Sequence, residues 1–418
     1  MNKVCILGLG YIGLPTASLF AANGHKVIGV DINSKVIESI NQKKLPFKES
    51  NLKPILEKAI EEKTLIAKTE PEEADVFIIS VPTPFDKEQK KADLSHVIAA
   101  TNTILPFLKK GNLIILESTV PPKTSLDIII PILEKNTLKA GKDFYYAHCP
   151  ERAIPGNTLN EMINNNRIIG GFDKASSELT KKLYSSFVKG KIFLTDSTTA
   201  EMAKLMENTS RDVNIALANE FAKICEDLNI SCSEAIKLAN LHPRVNILNP
   251  GPGVGGHCIA VDPWFIHEKS PKNAKLIQLA RNINDSMPDY VVNTIENIVN
   301  NKKSKIAIFG ISYKGNVEDT RESPSLEVIK KLKDKQYNVS IFDPYVKNPE
   351  YNNLEEAIKG SDCIVFLTDH DSFKQLDIKK ISSLVSKKNI FDTRNFLNHN
   401  SWNKYGFNIR ILGKGKSR

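Results

Sequence analysis

The stretch VCILGLGYIGLPTASLFAANGHKVIGVD, Val4 to Asp31, decides the fold. An apolar run leads into three glycines spaced GxGxxG (Gly8, Gly10, Gly13), then a helical segment, then Gly24 as a stop and a second apolar run ending on a carboxylate. The order reads strand, tight turn, helix, strand: one βαβ unit, with a parallel sheet implied. Each glycine has its own task. The first permits the turn, the second lets a pyrophosphate approach backbone N–H groups, and the third lets helix pack on strand. Asp31, 18 residues after Gly13, stands where a carboxylate hydrogen-bonds an adenosine ribose 2′-OH and repels a 2′-phosphate. The expected dinucleotide is NAD. Lys35 is the nearby cation that keeps NADP as an alternative, and a glycine turn without a ligand is the structural alternative.

Outward from this unit, apolar runs at Val76 to Val81, Leu113 to Leu116 and Phe144 to Ala147 read as buried strands, so a doubly wound α/β domain is expected over 1–196. From Thr199 the period changes. AEMAKLMENTSRDVNIALANEFAKICEDLN has apolar residues at helical spacing without glycine or proline, and such a helix spans about 45 Å. It opens an expected helical middle domain, 197–301, and suits joining domains or packing on a second copy. Strand signals return in KIAIFGI, NVSIFDP, DCIVFLTDH and NIFDTRN, making 302–418 a second α/β domain. The expected architecture is two Rossmann-like doubly wound domains joined by a long central helix and a helical middle domain, with a homodimer or higher homo-oligomer as its assembly.

Composition narrows the partners. With 418 residues, 41% hydrophobic and 25% charged, the chain is globular and holds more than one core. A net charge of +9 is spread over scattered lysines, and the one tight basic cluster, Lys414 to Arg418, has no interleaved aromatics. Small anions are therefore expected as partners and nucleic acid is not. Six distant cysteines show no CxxC and no zinc spacing, which suits a reducing cytoplasm without a structural metal. The uncharged run from Val4 to Gly24 is too broken by glycine and proline for a membrane span, and no export signal is expected.

One cysteine stands apart. In GPGVGGHCIAVDPWF, Gly251 to Phe265, Cys258 follows two adjacent glycines and precedes Asp262 by four residues. A thiolate adds to an aldehyde to give a thiohemiacetal, which can surrender a hydride and become a thioester that water cleaves. The glycines would let substrate and loop backbone approach the sulfur. His257 reads as a loop-positioning residue, and Cys5, Cys149, Cys225, Cys232 and Cys363 as inert core. On the long helix Lys204 and Asn208 are spaced i,i+4 and share a face, where they could polarise an alkoxide or oxyanion or equally be solvated surface. Asp262 could orient a lysine or water, or cap the loop before Pro263.

The blocks GLGYIGLP, VPTPF, ESTVPP, CPERAIPG, AEMAKLMENTSRDVNIA, HPRVNILNPGPGVGGHCIAVDPWF and SYKGNVEDTRESP occur in that order, and with them the whole chain resembles the UDP-glucose/GDP-mannose dehydrogenases. That resemblance implies an NAD-dependent oxidation of a nucleotide-sugar CH₂OH to a carboxylate. It implies Cys258 as nucleophile, Lys204 as acid/base or oxyanion stabiliser, Asn208 and Asp262 in support, and Glu151 and Thr119 holding water for thioester hydrolysis. It places Tyr11, Ile12, Thr83, Thr119 and Arg321 with the glycines around NAD. Glu151, Arg152, Ala153, Lys204, Asn208, Arg211, His242, Arg244, Gly253 and Lys314 fall to the UDP-sugar, Arg244 reaching from a second subunit. The glucose-type enzymes carry PEFLxEG and GFGGxCFPKD. Here Arg152 replaces the phenylalanine and Val261 stands where a lysine precedes the aspartate, which implies UDP-N-acetylmannosamine ahead of UDP-N-acetylglucosamine or UDP-glucose. A sugar epimerase is disfavoured because none of the ten tyrosines has a lysine four residues later. A non-catalytic NAD-binding scaffold is the reading from another class.

Overall fold

The computed structural model describes residues 2–154, 156–348, 351 and 353–415. Pro155 of the CPERAIPG block and Lys416, Ser417 and Arg418 of the basic tail lie outside the described residues. The chain forms two compact units, Met1–Glu207 with Trp264–Pro271, and Asn208–Pro263 with Lys272–Arg418.

In the first unit the strands are β1 (Lys3–Leu7), β2 (Lys26–Val30), β3 (Leu65–Lys68), β4 (Val76–Ile79), β5 (Phe85–Asp86), β6 (Lys91–Ala92), β7 (Leu113–Leu116), β8 (Tyr145–His148), β9 (Arg167–Gly171) and β10 (Ile192–Asp196). Eight of them form one sheet in the order β10-β9-β8-β7-β4-β1-β2-β3, and β5 with β6 makes a separate antiparallel hairpin. The order reverses at β1, flanked by β2 and β4, and ligands of open α/β sheets bind at the carboxyl ends of the strands at such a switch point. Along β1, Val4 and Ile6 join one core with Leu14 and Phe20 of the helix Gly13–Ala22, while Cys5 and Leu7 join another with Val97 and Ile104. Both faces are covered, which is why the parallel strands read as continuous apolar runs.

The implied parallel pairing holds from β3 to β8 and then fails. β9 runs antiparallel to β8, with Ala147 opposite Gly171 and His148 opposite Gly170, so the start of β9 lies at the edge where the other strands end. β3, β9 and β10 gave no clear signal: β3 alternates buried and exposed residues, β9 opens on arginine and closes on two glycines, and β10 is only partly buried.

In the second unit β11 (Lys305–Phe309), β12 (Asn338–Phe342), β13 (Cys363–Phe366), β14 (Asn389–Asp392) and β15 (Asn408–Ile411) form an all-parallel sheet in the order β12-β11-β13-β14-β15. Its first turn repeats that of the other unit. Gly8 N donates to Val30 O at 2.8 Å and Leu9 N to Asp31 Oδ2 at 3.0 Å; Gly310 N donates to Phe342 O at 3.0 Å and Ile311 N to Asp343 Oδ2 at 2.8 Å. The expected long helix is one element of 31 residues, Ser197–Asp227.

Five of the six cysteines are buried. Burial pushes the thiols of Cys5, Cys232 and Cys363 up to about 12 and that of Cys149 to about 11, which makes them poor nucleophiles. No helix among the described residues is long and apolar enough to cross a membrane.

Phe20 is fully buried and meets His25, Tyr184 and Phe187 edge-on, with ring centroids 5.5, 5.3 and 5.0 Å away. Phe20→Ala should cost about 3–5 kcal/mol and lower the first calorimetric transition; an unchanged melting profile would show that this aromatic cluster is dispensable.

Candidate active site

In the first unit the glycine turn is built for an anion. Gly8 has φ +94°, and a Cβ there would lie 2.4 Å from Ser80 O; at Gly13 it would lie 1.8 Å from Gly8 O. Over Gly10 nothing stands within 4 Å of an added Cβ. Two glycines thus serve the protein's own packing and the middle one leaves an open approach to the backbone. The helix Gly13–Ala22 begins at Ile12 with no side-chain cap, Leu14 N and Thr16 N donate to the carbonyls of Gly10 and Ile12, and Pro15 has no N–H, so the anion-binding donors are those of the turn itself. Thr83, in the loop after β4, has a buried hydroxyl oxygen without a hydrogen-bond partner. Asp31 accepts from Leu9 N and, at 2.9 Å, from Asn33 N, and its carboxylate retains lone pairs for a ribose. These residues fit a dinucleotide. Tyr11 stacks on Phe47 at 4.3 Å, and Lys35 is exposed in the first turn of the helix Ser34–Asn41.

At the carboxyl edge of the same sheet, Thr119 follows β7 and Glu151 follows β8. Glu151 Oε1 accepts from Arg152 N at 2.6 Å and Ala153 N at 2.9 Å, while its Oε2 accepts from Arg167. Arg152 is engaged by Glu207 at 2.6 Å and by the Asn166 carbonyl. Three further residues, Glu117, Arg167 and Tyr184, were missed by sequence reasoning; the signal was an acid, Glu117, directly behind the apolar strand β7. Burial pushes the Glu117 carboxyl up to about 7 against the pull of Arg167. Lys204 is also nearly buried.

The second unit holds the thiol. Cys258 is partly exposed and its carbonyl accepts from Val261 N at 3.0 Å and Asp262 N at 2.8 Å, a tight turn running into the helix Asp262–Lys269. Asn208 Nδ2 donates to the buried Asp262 Oδ2 at 2.6 Å. Within this unit Asn208, on the long helix, thus anchors the residue four after the thiol. The glycines before Cys258 have a reason the sequence reading did not foresee: the chain itself comes close to them. A Cβ at Gly251, Gly253, Gly255 or Gly256 would meet Arg394 at 2.6 Å, Pro324 at 2.9 Å, Glu322 O at 2.6 Å or the Tyr313 ring at 3.0 Å. Tyr313 is a further missed neighbour, its phenol pushed up by burial, by Asp319 and by Cys258.

The loop leading to Cys258 lacks regular structure, and asparagine side chains supply the missing backbone partners. Asn214 binds Asn246 O and Leu248 N at 3.0 and 2.9 Å, Asn240 binds Ile247 O and N at 2.9 and 2.8 Å, and Asn219 takes Gly251 N at 2.9 Å. His242 and Arg244 stay exposed, with Arg244 N donating to His242 Nδ1 at 3.3 Å. Arg211 is exposed on the long helix and Lys314 in the loop after β11. Arg321 forms a forked pair with Asp319, its closest contact 2.6 Å. Among the described residues no group of three or more His, Cys, Asp or Glu could hold a metal ion.

Residues 2–188 match the NAD binding domain of the UDP-glucose/GDP-mannose dehydrogenase family, 198–286 its central domain and 307–399 its UDP binding domain. A UDP-N-acetyl-D-mannosamine dehydrogenase of Methanococcus aeolicus is 55% identical, covering 100% of this chain and 96% of that protein. The structure of a UDP-D-ManNAc dehydrogenase from Pyrococcus horikoshii superposes with a TM-score of 0.93 at 41% identity, and a UDP-N-acetyl-mannosamine dehydrogenase from S. aureus with 0.91 at 46%, each over 99% of both chains.

The glycine turn gives a paired test. Gly10→Ala should leave the melting temperature unchanged and weaken dinucleotide binding by about tenfold or more, whereas Gly13→Ala should lower both, measured by calorimetry. Equal effects at the two positions would refute the division of roles.

Proposed function

The chain belongs to the UDP-glucose/GDP-mannose dehydrogenase family, and on that premise we propose that it oxidises C6 of UDP-N-acetyl-D-mannosamine to the carboxylate, with two NAD and one water per sugar. The observation that carries the chemistry is the Asn208–Asp262 bond, which anchors the end of the turn bearing Cys258. NAD at the glycine turn supplies a hydride acceptor, used twice. Gly10, the uncapped helix start, Thr83 and Asp31 bind and orient it.

Lys204 stabilises negative charge on the C6 oxygen as the alcohol loses its proton and then its hydride. The Cys258 thiolate adds to the aldehyde carbon, a C–S bond forms, and the oxygen is protonated. Loss of a second hydride and of that proton leaves a thioester. Water held by Glu151 and Thr119 adds to the carbonyl, the C–S bond breaks, and the thiolate is regenerated. We assign 1–196 to the cofactor, 197–301 to the thiol and its supports, and 302–418 to UDP, with Lys314 and Arg321 as phosphate or cofactor contacts and Arg152, Arg211, His242 and Arg244 as sugar and phosphate contacts.

We also propose a homodimer through the long helix. Met206, Leu217 and Ile224 are exposed there, and their spacing keeps them within about 20° of one another around the axis. The cytoplasm suits the substrate class and the unpaired cysteines.

With limiting UDP-N-acetylmannosamine and excess NAD, about two NADH per sugar are expected at completion, and about one would overturn the role of Cys258. Parallel runs with UDP-N-acetylglucosamine and UDP-glucose should give far lower kcat/KM, and a preference for either would move the assignment to that sugar.

A further inference from the structure

At the carboxyl edge of the first sheet Glu151 is backed by buried groups, Arg167, Glu117 and Tyr184, to which the steps above give no task. Arg167 bonds Glu151 through one Nη, while the other stands 3.7 Å from Glu117 Oε1 and 3.4 Å from Cys149 Sγ. The guanidinium lies 4.5 Å over the Tyr184 ring, and the Tyr184 hydroxyl donates to Glu117 Oε1 at 2.6 Å. The Thr16 hydroxyl, on the cofactor helix, donates to Glu117 Oε2 at 3.3 Å. Arg167 and Glu117 are 4% and 3% exposed. Buried ion clusters of this kind are poor sources of stability, since well-packed apolar residues often do as well. The location is informative instead. Glu117 and Glu151 follow adjacent parallel strands, and the antiparallel return of β9 brings its first residue, Arg167, to the same edge.

We propose that Arg167 and Glu117 are positioning residues for the hydrolytic half-reaction: Arg167 orients the Glu151 carboxylate towards the attacking water, and Glu117 fixes Arg167 from behind and links it through Thr16 to the cofactor helix. The inference rests on Glu151 as the water-holding group. Two backbone N–H groups anchor one oxygen of Glu151 and Arg167 anchors the other, which leaves a single orientation for the remaining lone pairs. In the step so positioned, the water oxygen bonds to the thioester carbon, the C–S bond breaks with its electron pair going to sulfur, and the water proton passes to Glu151.

The test separates oxidation from hydrolysis. In stopped-flow with saturating UDP-sugar and NAD, Arg167→Lys and Glu117→Gln should keep the NADH burst within about twofold, while steady turnover falls by about tenfold and threefold respectively. A sugar-acyl adduct on Cys258 should accumulate in intact-protein mass spectra of both. Glu151→Gln is the reference. No adduct in Glu151→Gln overturns the underlying reading of Glu151; an adduct there with none in the other two, or burst and turnover slowed equally, overturns this inference alone. If Arg167→Lys does not fold by circular dichroism, Glu117→Gln, which keeps the hydrogen-bonding shape, decides.

Discussion

A carboxylate at the end of the second strand holds each of the two sheets' first turns. After β1 the chain leaves the ladder at Gly8, and the next N–H, of Leu9, has no strand partner; Asp31 supplies one and so extends the ladder by a rung. Because the turn is closed by a side chain from β2, the helix Gly13–Ala22 can begin without a cap of its own. In the second unit Asp343 does the same for Ile311 and additionally holds Tyr345 N, Val346 N and His370. Binding of an anion at the first turn depends on this arrangement, for a self-capped helix would offer it fewer donors.

Charge is distributed very unevenly over the edge that this turn creates. Around Gly10 there is open space; one layer below, at Glu117, Arg167 and Glu151, each charged group has a neighbour of opposite sign or a hydroxyl. The upper layer offers room for a ligand, whereas Glu117 and Arg167 in the lower layer are committed to one another and to Glu151. Desolvation is what makes the lower layer stiff, because a buried guanidinium that left its carboxylates would find no water to replace them.

Legibility in the sequence followed burial and periodicity. The βαβ opening, the long helix and the central strands of both sheets were readable because continuous apolar runs or helical spacing persist over whole elements. β9 was not, since Arg167 and two glycines interrupt it, and the antiparallel step that it introduces has no local signature. Among candidate site residues, the three glycines, Asp31, Cys258, Asn208 and Asp262 stand out by spacing. Glu117, Arg167 and Tyr184 did not, because their meeting is created by the strand order, with Glu117 and Tyr184 67 positions apart. Around the glycines before Cys258 the chain itself comes close, through Tyr313, Glu322, Pro324 and Arg394, a contact that no local sequence pattern signals.

The loop that delivers Cys258 is held by amide side chains in place of a backbone ladder, with Asn214 and Asn240 each donating to a carbonyl and accepting from an N–H. Asparagine is chemically perishable on heating. Deamidation of either residue would replace the donating NH₂ by a second carboxylate oxygen facing a carbonyl, turning an attraction into a repulsion while the strands and helices stayed intact. The loop that carries the thiol thus depends on two neutral amides, and their loss would be felt at the thiol before it was felt in the fold.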